Sequence, residues 1–167
     1  MVVAGGHFNL TWINEHFYSI NNIGVGMDQE SIVYGCIKDV SPSMVESERI
    51  RTNREAMLSL PHADEWPFLS QEMFSIPGVD SPFFNYQTEV MHFGASYKAV
   101  EYEWDQWIAQ FESLLSRMYW VSATVHLETE LSGTHTFTWE ANGNFHKPGS
   151  GDMRVRCEWS HEGSLGI

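Results

Sequence analysis

Cysteine, basic residues and long apolar runs are scarce in this sequence. Cys36 and Cys157 are the two cysteines, too few for a disulfide framework. Neither sits in a CxxC pair or a Cys/His cluster of zinc-finger spacing, so both read as thiols of the interior. Nine Lys and Arg stand against 22 Asp and Glu, a net charge of −13. That sign opposes nucleic acid and anionic membranes, and neither is expected as a partner. It favours solubility and speeds association with a basic partner. No apolar run approaches the roughly 18 residues of a membrane-spanning helix. Met1 to Gly6 carry no basic region and no long apolar run, so no secretory signal is read and the cytoplasm is the expected compartment.

The motifs of nucleotide binding and hydrolysis are missing too. Gly24-Val25-Gly26 continues into neither GxGxxG nor the P-loop pattern. There is no GxSxG elbow and no HExxH, and the eight histidines are scattered singly. No catalytic residue and no cofactor is expected.

What is present is a core. Hydrophobic residues make up 43% of the chain and aromatics 14%, with seven Trp among them, which argues against disorder. A length of 167 residues suits one domain, expected over 1–162, with a flexible tail at 163–167.

The clearest element lies between Val100 and Met118. Trp104, Trp107, Ile108, Phe111, Leu114, Leu115 and Met118 recur at steps of three and four, the apolar stripe of a helix on a core. Glu101, Glu103 and Asp105 open it and Arg117 closes it, as the helix dipole favours. The period then changes to two. Val121, Ala123, Val125 and Leu127 alternate with Ser122, Thr124, His126 and Glu128, which predicts a half-buried strand. A three-residue loop, Leu131-Ser132-Gly133, leads into the next strand. It sets Leu127 opposite Phe137 and Val125 opposite Trp139, with His126, Glu128 and Glu130 on the other face. Met153 to Trp159 alternate as a last strand, after a loop holding Asn142-Gly143 and Pro148-Gly149.

Upstream, residues 1–10 read as a short strand or arm and Thr11 to Ile23 as a helical stretch. Asp28 reads as the N-cap of a helix with Ile32, Val33, Cys36, Ile37 and Val40 on one face. Pro42 opens a further helix running to about Ser59. Pro61, Pro67, Pro77 and Pro82 make 60–82 an ordered loop. Phe83 to Phe93 reads as a strand, Gly94-Ala95-Ser96 as a turn, and Ser96 as a helix cap. The expected fold is α+β: an antiparallel sheet of four or five strands, the helix at about 100–118 on one face, and further helices N-terminal.

Two constellations carry chemistry. His126, Glu128 and Glu130 share a strand face, where an imidazole and two carboxylates suit a metal or an acid–base pair. His135 falls on the opposite, apolar face, which removes a fourth ligand. The alternative reading is a metal-dependent or acid–base enzyme built on those three residues. The other constellation is charge. Ten acids lie between Glu55 and Glu112, with Lys98 as the sole base, among many aromatics. The leading expectation is an acidic binding protein that neutralises a basic protein, as a bacterial immunity protein neutralises a toxin. Asp64, Glu65, Trp66, Glu101, Glu103 and Asp105 are its expected contact residues. A third reading is a structural subunit of a homo-oligomer.

Overall fold

Val33 and Ile37 are fully buried, whereas Ile32, Tyr34 and Lys38 between and beside them are exposed. That alternation makes β1 (Glu30–Val40) a strand, not the helix expected from Asp28 onward. The β-branched Ile32, Val33, Ile37 and Val40 lose little rotamer freedom on a pleated surface. Gly35 supplies the second reason. A Cβ there would lie 2.0 Å from the Thr124 carbonyl oxygen and 2.8 Å from Cζ of Phe93. The glycine marks a close approach between strands, not a weak point in a helix.

The computed structural model describes residues 30–40, 47–65, 67–75, 88–130, 132–151 and 153–160. The arm at 1–10, the helical stretch at 11–23, Asp28, Pro42, residues 83–87 and the C-terminal tail lie outside them.

The chain continues with α1 (Ser47–Leu58), β2 (Thr88–Lys98), α2 (Trp104–Leu115), β3 (Ser122–Thr129), β4 (Gly133–Ala141) and β5 (Met153–Ser160). Short 3-10 turns occupy Ala63–Glu65, Gln71–Met73 and Val100–Glu103. The fold is α+β, with all five strands in one antiparallel sheet of order β2-β1-β3-β4-β5. No described helix is long and apolar enough to cross a membrane.

Two boundaries depart from the sequence expectation. Gly94-Ala95-Ser96 does not turn the chain. It runs on in β2, where Val33 opposes Ala95 and Tyr34 opposes Gly94. A Cβ at Gly94 would lie 3.5 Å from Cβ of Tyr34, an ordinary contact, so the ladder with β1 rather than tight space carries the strand through these small residues. The turn comes at Ala99, whose φ of 53° is left-handed, and Ser96 bonds Glu30 instead of capping the helix. The β3–β4 loop is three residues long as expected, but one position earlier: Thr129 opposes Gly133. Gly133, at φ 76°, takes the left-handed conformation after the loop. Val125 therefore opposes Phe137, and Leu127 opposes His135. A slip of two residues keeps every side chain on its expected face.

One face of the sheet is the core. Met91, Phe93, Val33, Ile37, Ala123, Val125, Leu127, Phe137 and Trp139 line it, and α2 lies on it with its whole stripe buried. Ring contacts join the layers. Phe111 meets Phe93 at 5.3 Å and Trp139 at 5.1 Å, and Trp104 meets Phe137 at 5.2 Å. The Trp139 indole donates to Glu112 on the helix at 2.9 Å. Helix α1 closes the same side. Asn53 exchanges two hydrogen bonds with the backbone of Tyr119, at 2.7 and 2.9 Å. Arg49, buried over the ring of Phe145 at 4.3 Å, pairs with the buried carboxylate of Asp39. The loop at 67–75 is fastened by a chain of bonds: the Trp107 indole donates to the Tyr97 hydroxyl at 3.1 Å, which donates to the Phe68 carbonyl. Burial pushes the Tyr97 hydroxyl up to about 12.

Candidate functional site

The opposite face of the sheet carries the first expected constellation. His126 stands on β3 between Tyr34 of β1 and Thr136 of β4. Its ring stacks on Tyr34 with centroids 4.9 Å apart, and its Nδ1 lies 2.9 Å from the Thr136 hydroxyl. Glu128 and Glu130 are exposed, and Glu128 lies opposite Thr134. Among the described residues no group of three His, Cys, Asp or Glu side chains is placed to hold a metal ion. His126 and Glu128 share that face of β3, whereas Glu130 lies beyond the strand in the β3–β4 loop, and the imidazole is engaged by Tyr34 and Thr136. Arg156 of β5 pairs with Glu140, not with Glu128.

The structure joins one pair that the sequence leaves apart. Ser132 Oγ lies 2.9 Å from His135 Nε2 and 2.7 Å from Thr129 Oγ1. A hydroxyl on an imidazole nitrogen is the geometry of a nucleophile and its base. Here the serine is buried, its N–H donates to Thr129 at 3.0 Å, and its carbonyl accepts from the Trp159 indole at 2.6 Å. Every polar group of Ser132 is spent on closing the β3–β4 loop. The residue is a staple of that turn.

The acidic constellation divides by burial. Asp64 and Glu65 are exposed on their 3-10 turn, and Trp66 lies outside the described residues. Beside them His62 Nδ1 lies 2.8 Å from Glu72 Oε1, and Glu72 Oε2 accepts from the Ala63 N–H at 3.0 Å. The bond from His62 holds the Glu72 carboxyl down at about 2, and the same bond raises the imidazole above its ordinary value. Glu101, another of the expected contact residues, is placed differently. It is 8% exposed and accepts a hydrogen bond from the buried Ser31 hydroxyl of β1. Glu103 is exposed, and Asp105 is half-buried in the first turn of α2.

Between Glu101 and Glu103 stands Tyr102, 53% exposed, one of five large hydrophobic residues on the described surface. The expected helix stripe contains Trp104 and Trp107 but not Tyr102, so its helical phase was the signal available for finding it. The described segments 60–65, 67–75 and 99–115 hold no Lys or Arg. The Trp107–Tyr97–Phe68 chain sets the 67–75 loop beside the strand end that leads into Tyr102. Tyr102 thus stands exposed beside Glu103 in a segment rich in acids, four residues after the exposed Lys98. No family model, curated protein or solved structure matches this chain.

Proposed function

We propose that this protein binds a basic protein partner and neutralises it in the cytoplasm, in the manner of a bacterial immunity protein set against a basic toxin. Tyr102 is the aromatic anchor of the contact. Glu103, Asp105, Asp64 and Glu65 supply its charge. The observation that carries this reading is the exposed Tyr102 at the entrance of α2, in segments without a basic residue. Tyrosine is enriched among residues that dominate binding energy, because it buries a large rigid area with one polar tip. Surrounding acids steer a basic partner and penalise an acidic one.

The test is capture of partners from the native host, followed by binding kinetics across a salt series. A basic partner is expected, with association falling steeply between low and half-molar salt and dissociation changing less. Tyr102→Ala should weaken binding at least about tenfold, mainly through faster dissociation. Glu103→Gln combined with Asp105→Asn should slow association. Capture of acidic or neutral partners only, or association indifferent to salt and to both variants, overturns the reading.

A further inference from the structure

The two edges of the sheet are treated differently. On β2, Phe74 bridges to Phe93, and Ser75 exchanges bonds with the backbone of His92. On β5, no described strand lies along the outer edge. An edge strand is a template for another strand, and proteins commonly blunt it with charges. In β5 the open face carries two positive charges followed by a negative one: Arg154, Arg156, Glu158. Charges so arranged repel some partners and match others.

We propose that the β5 edge pairs with β5 of a second copy of this chain, about a two-fold axis perpendicular to the sheet. Such an axis runs the strands antiparallel and keeps each residue on its own face. Directly opposed residues then have numbers with an even sum, which leaves few registers. Centring the axis on Arg156 sets that arginine against itself. Centring it on Val155 sets Arg154 against Arg156 twice, and centring it on Glu158 sets two carboxylates together. Centring it on Cys157 sets that thiol against itself and opposes no like charges. Arg156 faces Glu158 of the second copy twice, Arg154 faces Ser160, and Val155 faces Trp159 on the side of the core. Each opposite-charge pair across an antiparallel ladder is favourable, and each like pair is unfavourable. Of these four registers, the one centred on Cys157 alone pairs opposite charges without setting like charges together. The pairing extends the sheet across both copies and leaves Tyr102 and the acidic surface out of the interface, so it stands independently of the proposed function.

The test is the oligomeric state of the full chain by sedimentation over a concentration series, with a charge swap. The wild type is expected to dimerise. Glu158→Arg should raise the dimer Kd by about tenfold or more, since two attractive pairs become two repulsive ones. Glu158 has Thr136, not an acid or a base, opposite it on β4, which makes it the cleaner single change. Glu158→Arg with Arg156→Glu should restore the dimer. Amide exchange on the wild type gives a readout without substitution: protection of residues 153–160 should rise with concentration. A wild type that stays monomeric at millimolar concentration overturns the proposal. So does a dimer indifferent to Glu158→Arg, or one whose β5 amides exchange at the same rate at every concentration.

Discussion

Phe111 is the residue whose removal best tests how the two layers are held. It is fully buried, at the centre of the α2 stripe. Its ring meets Phe93 of β2 at 5.3 Å, Trp107 of its own helix at 5.2 Å and Trp139 of β4 at 5.1 Å. Truncation of a buried phenylalanine to alanine costs about 3–5 kcal/mol through lost transfer energy and the cavity left behind. The three ring neighbours push the value upward, because each aromatic pair adds about 0.5–1.5 kcal/mol beyond area. Two of them also resist collapse into the void, since they are held elsewhere: the Trp107 indole by Tyr97 and the Trp139 indole by Glu112. Phe111→Ala should therefore cost about 4–5 kcal/mol. Phe111→Leu refills most of the space and loses the ring geometry, so about 1–2 kcal/mol is expected. Urea unfolding of the two variants beside the wild type reads both numbers, as midpoint shifts at constant slope. A cost below about 1 kcal/mol for alanine would show that the helix is not seated on the sheet through this ring. Equal costs for leucine and alanine would show that filled volume is not what matters there.

Gly35→Ala should destabilise by at least about 1–3 kcal/mol, the range for overpacking a tight site. The 2.0 Å approach is to a backbone oxygen of Thr124, which cannot rotate away. A fully folded Gly35→Ala protein of wild-type urea midpoint would contradict the strand pairing. The His62–Glu72 pair should leave a pH signature. A raised histidine stabilises below its unfolded value near 6.5 and loses that contribution as pH rises through its folded value. A lowered carboxyl stabilises above 4.5 and loses its contribution as pH falls through about 2. The pair is thus complete across the acidic range between those limits. An NMR titration of the His62 ring should give a midpoint above the ordinary histidine value, falling in Glu72→Gln. The same midpoint in both proteins would mean that the two side chains do not pair in solution.

Why some elements were legible and others were not follows from what each local pattern decides. The α2 stripe was readable because seven apolar residues keep helical phase from Trp104 to Met118, and no strand period fits them. The β1 segment was not. Ile32, Val33, Cys36, Ile37 and Val40 fit a helical face, and the same residues fit a central strand of a sheet. The deciding facts are tertiary. Two strands flank β1, and Gly35 lets Phe93 and the Thr124 backbone approach. Gly94-Ala95-Ser96 misled because small residues fit a strand as well as a turn, and the pairing with β1 decides between them. The β3–β4 faces were legible because alternation fixes them, whereas the register depends on where a three-residue loop begins. Sliding that loop by one position moves the pairing by two and leaves the faces unchanged, so face segregation cannot distinguish the two placements.

The acidic surface was legible as a sum but not as a surface. A count of acids between Glu55 and Glu112 treats Glu101 and Glu103 alike. The fold separates them. The chain leaves β2 through the left-handed Ala99 and enters a 3-10 turn, which places Glu101 against Ser31 and leaves Tyr102 and Glu103 to solvent. Glu112 is likewise committed, to the Trp139 indole. Acids held in this way cannot lose their partners to a docking protein without cost to the core. Substituting them would confuse a binding defect with a folding defect. Glu103 and Tyr102 are free of that ambiguity, and they act on different quantities. In the proposed complex Glu103 would bear on encounter, which salt screens. Tyr102 would bear on the lifetime of that complex, which salt barely reaches. Separate effects of the two on association and dissociation would identify the α2 entrance as the contact itself. A common effect on both rates would instead mean that the two substitutions disturb the turn that carries them.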